Sequence, residues 1–94
     1  MIERLDLIEK RYHEINELLM TPEVLSDVRK SKELSIESST IEDVYNCYQK
    51  YKSVLNDLES ANEMLEDPEL SEFASEEVSR LTAEKTNLES ELEV

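Results

Sequence analysis

Glycine is absent from this chain of 94 residues, and proline occurs only twice. Tight hairpins use glycine for the positive φ values of their two-residue turns, so a sheet of short strands has few ways to reverse direction here. Apart from Pro22 and Pro68, almost nothing interrupts regular backbone. Glu, Leu and Ser are the commonest residues, and the helix formers Glu, Leu and Lys are well represented, which favours helix. The expected class is all-α.

Apolar spacing supports that class. Ile2, Leu5, Ile8, Tyr12, Ile15 and Leu19 recur at steps of 3 and 4, the mark of a helix with one buried stripe. Glu3, Arg4, Glu9, Lys10, Arg11, Glu14 and Glu17 form its wet face, and Leu7, Leu18 and Met20 are expected to widen the stripe. Thr21-Pro22-Glu23 closes this helix and opens a turn, with Thr21 placed to cap and Pro22 suited to a first helical position. A second start follows at Ser26-Asp27, near a small basic patch of Arg29, Lys30 and Lys32.

From residue 41 the pattern tightens. Ile41, Val44, Tyr48, Tyr51, Leu55, Leu58 and Leu65 alternate at 3 and 4 if Asn62 takes the vacant place, giving a heptad seam with Ala61 and Met64 beside it. Upstream, Ser38-Ser39-Thr40 favours local hydrogen bonds over helix, so a kink or break is expected there. Asp67-Pro68-Glu69 ends the long helix and starts the last, with Asp67 as cap and Glu69 and Glu72 at the positive end of the helix dipole. Leu70, Phe73, Ala74, Val78, Leu81, Leu88 and Leu92 then form another stripe, with Lys85 as its gap. Joints of one or two residues imply antiparallel neighbours. The expected architecture is one domain, residues 1–94: an antiparallel up-down-up bundle of about three long helices with short joints begun by proline.

Charge narrows the partners. The net charge is −14, and it is uneven: residues 1–54 carry 8 Lys and Arg against 11 Asp and Glu, while residues 55–94 carry 2 against 13. Nucleic-acid affinity rests on phosphate neutralisation, so little direct binding of RNA or DNA is expected, and basic protein surfaces fit better. No apolar run reaches membrane-spanning length, no secretory leader opens the chain, and the single Cys47 has no partner for a disulfide, so a cytoplasmic location is expected.

Possible chemistry is sparse. Glu9, His13 and Glu17 lie one turn apart, but a single helix seldom supplies a full metal shell, and an exposed His paired with acids is the simpler reading. Tyr45, Tyr48 and Tyr51 could stack bases, yet successive steps of three fan around a helix, so core packing with hydroxyls at the rim is expected. Cys47 reads as a small half-buried residue. The acidic face of the last helix lacks a calcium loop. No phosphate loop is possible without glycine, and the lone His has no evident nucleophile. No catalytic, cofactor or metal residue is assigned, no cofactor is expected, and the chain is not expected to be an enzyme.

Taken in order, RLDLIEKRYHEINELL (4–19), TPEVLSD (21–27), KELS (32–35) and MLEDPELSEFASEE (64–77) resemble the N-terminal helical domain of bacterial class I peptide chain release factors. The first of the two bacterial types is favoured, because the second usually carries a Trp after its first helix and none is present here. The resemblance covers essentially the whole chain. It implies a translation termination factor that reads stop codons through Pro-x-Thr and triggers peptidyl-tRNA hydrolysis through Gly-Gly-Gln. Neither motif occurs in this chain, so it reads as an excised accessory domain. The same resemblance implies ribosome docking, through protein at the stalk base of the large subunit, and a link to the class II release-factor GTPase. The contact residues are not assigned. The alternative is a free-standing coiled coil or dimerising adaptor, built on the seam from Ile41 to Leu65.

Overall fold

A computed structural model describes residues 1–93. They form four helices: α1 (Ile2–Leu18), α2 (Pro22–Leu25), α3 (Val28–Met64) and α4 (Ser71–Glu93). No strand occurs among the described residues. The chain is therefore all-helical, as expected, with three long helices and one short one. Its contacts divide into two compact units, Met1–Asn46 and Cys47–Val94, and α3 contributes to both.

In the first unit, α1 and the opening half of α3 run antiparallel. Leu18 shares a groove with Lys30 and Leu34, whereas Arg11, two turns earlier in α1, reaches Glu37 further along α3. Leu5 and Ile15 from α1 and Val24 from α2 are buried. Ile8, Tyr12 and Leu19 are half-buried, but Ile2 is exposed, so the expected stripe is wettest at its start. Leu7 and Met20 do not widen it. Leu7 is 68% exposed because two residues of helix turn it about 200° from Leu5, and Met20 lies beyond the helix end.

The caps differ from expectation in an instructive way. Thr21 has the extended backbone of an N-cap before Pro22, yet its hydroxyl donates backwards to the Leu18 carbonyl at 2.7 Å. It closes α1 instead of capping α2. The start of α3 is capped at Asp27, whose Oδ1 accepts from the Lys30 backbone N–H at 3.1 Å. Ser38, Ser39 and Thr40 leave α3 unbroken over its 37 residues. The Thr40 hydroxyl donates to the Ile36 carbonyl at 2.9 Å, so it is satisfied inside the helix without disrupting it.

In the second unit, α3 and α4 run antiparallel. Cys47 Sγ donates to Glu91 Oε2 at 3.2 Å, and the Tyr51 hydroxyl donates to Glu89 Oε2 at 3.0 Å. Along α4, Ala74, Leu81, Leu88 and Leu92 are buried, and Val78 and Lys85 are half-buried between them. The resulting steps of 4, 3, 4, 3, 4 make a regular stripe, with the Lys85 stem filling its gap. Leu70 and Phe73 fall outside it and are exposed.

The α3 seam needs a correction. Tyr48 and Tyr51 are buried as expected, but the next buried residues are Val54 and Ala61, with Leu58 and Met64 half-buried. Leu55, Asn62 and Leu65 face solvent. Burial thus advances by 3, 3, 4, 3 and 3, faster than a heptad, so the stripe rotates about the helix and leaves the polar Asn62 in water. Ala61, not Asn62, takes the central place.

The last joint is also longer than expected. Six residues, 65–70, separate α3 from α4. Asp67 Oδ1 accepts from the Glu69 N–H at 2.9 Å and its carbonyl from the Leu70 N–H at 3.0 Å, which makes a turn of Asp67–Leu70. Pro68 sits inside that turn, and α4 begins only at Ser71.

Candidate docking surface

The fold brings two of the residues that the sequence named for possible chemistry, His13 and Tyr45, into ring contact. Among the described residues, no three of His, Cys, Asp and Glu lie close enough to hold a metal ion. Glu9, His13 and Glu17 therefore form no centre. The exposed His13 ring stands edge-on to Tyr45 at 5.4 Å and to Tyr12 at 6.2 Å. Tyr45 stacks on Tyr12 with centroids 4.1 Å apart, while Tyr48 and Tyr51 are buried in the second unit. Lys52 Nζ lies 4.8 Å over the Tyr48 ring.

Cys47 is half-buried, and desolvation, aided by Glu91, pushes its thiol above the ordinary range. Burial and then Glu89 raise Tyr51 in the same way. Both groups stay protonated at neutral pH, so neither is an activated nucleophile. Of the basic patch, Arg29 pairs with Glu33 at 3.2 Å, Lys30 borders the groove of the first unit, and Lys32 is exposed.

That groove has a volume of about 670 Å³. Leu18, Pro22, Val24 and Leu34 supply its apolar lining, with Glu23, Lys30 and Glu33 among the charged groups at its edge. Arg11 and Glu37 line it too, joined by two bonds: Arg11 Nε donates to Glu37 Oε2 at 2.6 Å and Nη2 to Oε1 at 2.8 Å. The third nitrogen, Nη1, donates to Glu14 at 2.6 Å. Hydrogen bonding holds the Arg11 guanidinium above its usual range and the Glu37 carboxyl below its own.

A smaller groove of about 300 Å³ lies in the second unit. Ala61 and Met64 of α3 and Phe73 and Leu81 of α4 line it, together with Asp57, Ser60, Glu77 and Arg80. Arg80 is held by Glu77 at 2.6 Å and Glu84 at 3.5 Å. Sequence reasoning placed Phe73 in the stripe and missed its exposure. The available signal was its neighbour: Phe73 and Ala74 stand 100° apart, and Ala74 is the one in phase with Leu81, Leu88 and Leu92.

Open grooves edged by carboxylates can hold a side chain of a partner. Among the described residues, no helix is long and apolar enough to cross a membrane. No solved structure matches the chain. Residues 8–94 match the PCRF domain family. Peptide chain release factor 1 of Oceanobacillus iheyensis is 40% identical over 100% of this chain, and that of Helicobacter pylori strain G27 is 46% identical over 95%. The protein of the same name from Geobacillus is 39% identical. The chain spans about a quarter of the length of these curated relatives, 27%, 25% and 27% respectively. With residues 8–94 matched and relatives at this level of identity, the chain belongs to the PCRF domain family, the family represented in peptide chain release factor 1.

Proposed function

We propose that the chain is the accessory docking domain of a translation termination factor, contributing recruitment and orientation, not chemistry. The observation that carries this reading is an acidic helical surface, net −14, with apolar grooves whose charged edges hold more carboxylates than cations. Such a surface suits basic proteins and repels polyanions. In this reading stop-codon recognition and peptidyl-tRNA hydrolysis belong to other parts of a longer protein, since this chain has no Pro-x-Thr and no glycine for Gly-Gly-Gln. Its partner is a basic protein at the stalk base of the large ribosomal subunit, with the class II release-factor GTPase as a second contact, in the cytoplasm.

Deletion of these residues from the parent factor tests the proposal. The expected result is recruitment to the ribosome slowed about tenfold at low salt, less at high salt, with codon-specific hydrolysis retained at saturating factor. Termination kinetics indifferent to the deletion overturn it.

A further inference from the structure

Phe73 is 55% exposed while the adjacent Ala74 is fully buried. An aromatic ring left in water beside a groove is the common form of an interface anchor. Half-buried Met64 lines the same groove, and exposed Leu65 and Leu70 belong to the turn that joins α3 to α4. The charge there is one-sided. Between Lys52 and Arg80 the chain carries nine Asp and Glu and no Lys or Arg.

We propose that this turn and its groove bind a basic amphipathic helix of a partner protein, with Phe73 as the apolar anchor and the carboxylates of residues 53–79, Asp57 on the groove wall among them, as the partners of its Lys and Arg. The proposal rests on the docking role above and narrows it to one place. Charge decides the occupant. Nine carboxylates repel RNA and anionic lipid, and they equally oppose a second copy of this chain. The shape decides its conformation. The groove runs between two antiparallel helices, and no sheet edge exists among the described residues to receive an extended strand, so the helix-in-groove mode applies. Arg80 does not oppose a basic ligand, because Glu77 and Glu84 already neutralise it.

Titration of the isotopically labelled 94-residue chain with a synthetic peptide tests the proposal by NMR. The probe is an amphipathic helix with Leu and Phe on one face and Lys and Arg on the other. Saturable shifts are expected across residues 61–81. Phe73→Ala is expected to weaken binding about tenfold. Glu72→Gln with Glu76→Gln is expected to weaken it about threefold at low salt and to flatten the salt dependence. Leu7→Ala, and Glu42→Gln with Asp43→Asn, are the controls in the first unit and leave affinity unchanged. Shifts that map instead to Leu18, Val24 and Leu34 overturn this location and leave the docking role standing. Absence of saturable shifts at millimolar peptide, equal binding of an acidic peptide of the same pattern, or full affinity in Phe73→Ala also overturns it. The docking role is decided separately by the deletion.

Discussion

The two units solve the same problem with unequal means. In the first, only Leu5, Ile15 and Val24 are buried, drawn from two helices. In the second, eight of the described residues are: Tyr48, Tyr51, Val54, Ala61, Ala74, Leu81, Leu88 and Leu92. Exposed large hydrophobics are distributed the other way, with seven before residue 47 and Leu55, Leu65, Leu70 and Phe73 after it. A regular stripe on α4 against a long helix closes the second unit upon itself. Around Thr21–Asp27 the first unit instead turns a corner, where Met20, Leu25 and Val28 remain in water. The turn at 65–70 leaves Leu65, Leu70 and Phe73 in water at one end of the second unit in the same way, so in both units irregular local geometry leaves apolar surface available to a partner.

The largest expected effect tests that inequality. Leu81→Ala, in the middle of the α4 stripe, should destabilise the chain by about 3 kcal/mol, read as a shift in the urea midpoint. Leu5→Ala removes an equally buried side chain from the thinner core. It should speed amide exchange through α1 and α2 while α4 stays protected. Equal loss of protection in both units breaks the comparison.

A smaller effect sharpens the register of α3. Val54→Ala should cost about 2 kcal/mol, and Leu55→Ala less than about 1, because Val54 is buried and Leu55 is 37% exposed. A straight heptad seam through Leu55 and Asn62 demands the reverse order. Smaller again are the caps. Asp27→Ala should cost about 1 kcal/mol through the lost bond to Lys30, and Thr21→Ala about half that, since its hydroxyl only closes α1. Thermal melts of the two single variants separate them.

These cases also show which features the sequence made legible. Ala74, Leu81, Leu88 and Leu92 keep one phase, so the inner face of α4 could be read directly, and the helical class followed from absent glycine. The α3 seam could not be resolved the same way. Val54 and Leu55, or Met64 and Leu65, are apolar neighbours 100° apart, and periodicity has no means to choose between them. Packing against α4 made the choice. Thr21 and Pro68 were misread for a related reason: a hydroxyl can close the helix behind it as well as cap the one ahead, and a proline serves a turn as well as a first helical position. Phe73 and the Arg11–Glu37 clamp, which define the two grooves, depend on contacts or exposures that spacing alone does not encode.

The smallest expected effect belongs to that clamp, whose side chains remain 38% and 41% exposed and screened by water. Arg11 hydrogen bonds lower the Glu37 carboxyl in the folded chain relative to the unfolded one. Its contribution is therefore present above the ordinary carboxyl range and is lost as pH falls through the lowered value. Glu37→Gln removes that dependence. At neutral pH the unsubstituted chain should be the more stable, and the gap should close as acid titrates Glu37. Acid also relieves the self-repulsion of a chain at −14, so absolute stability can rise while the gap shrinks. The difference between the two urea midpoints, followed across pH, isolates the clamp from this background. A gap that persists unchanged into acid shows that Glu37 acts through packing around the groove and not through its charge.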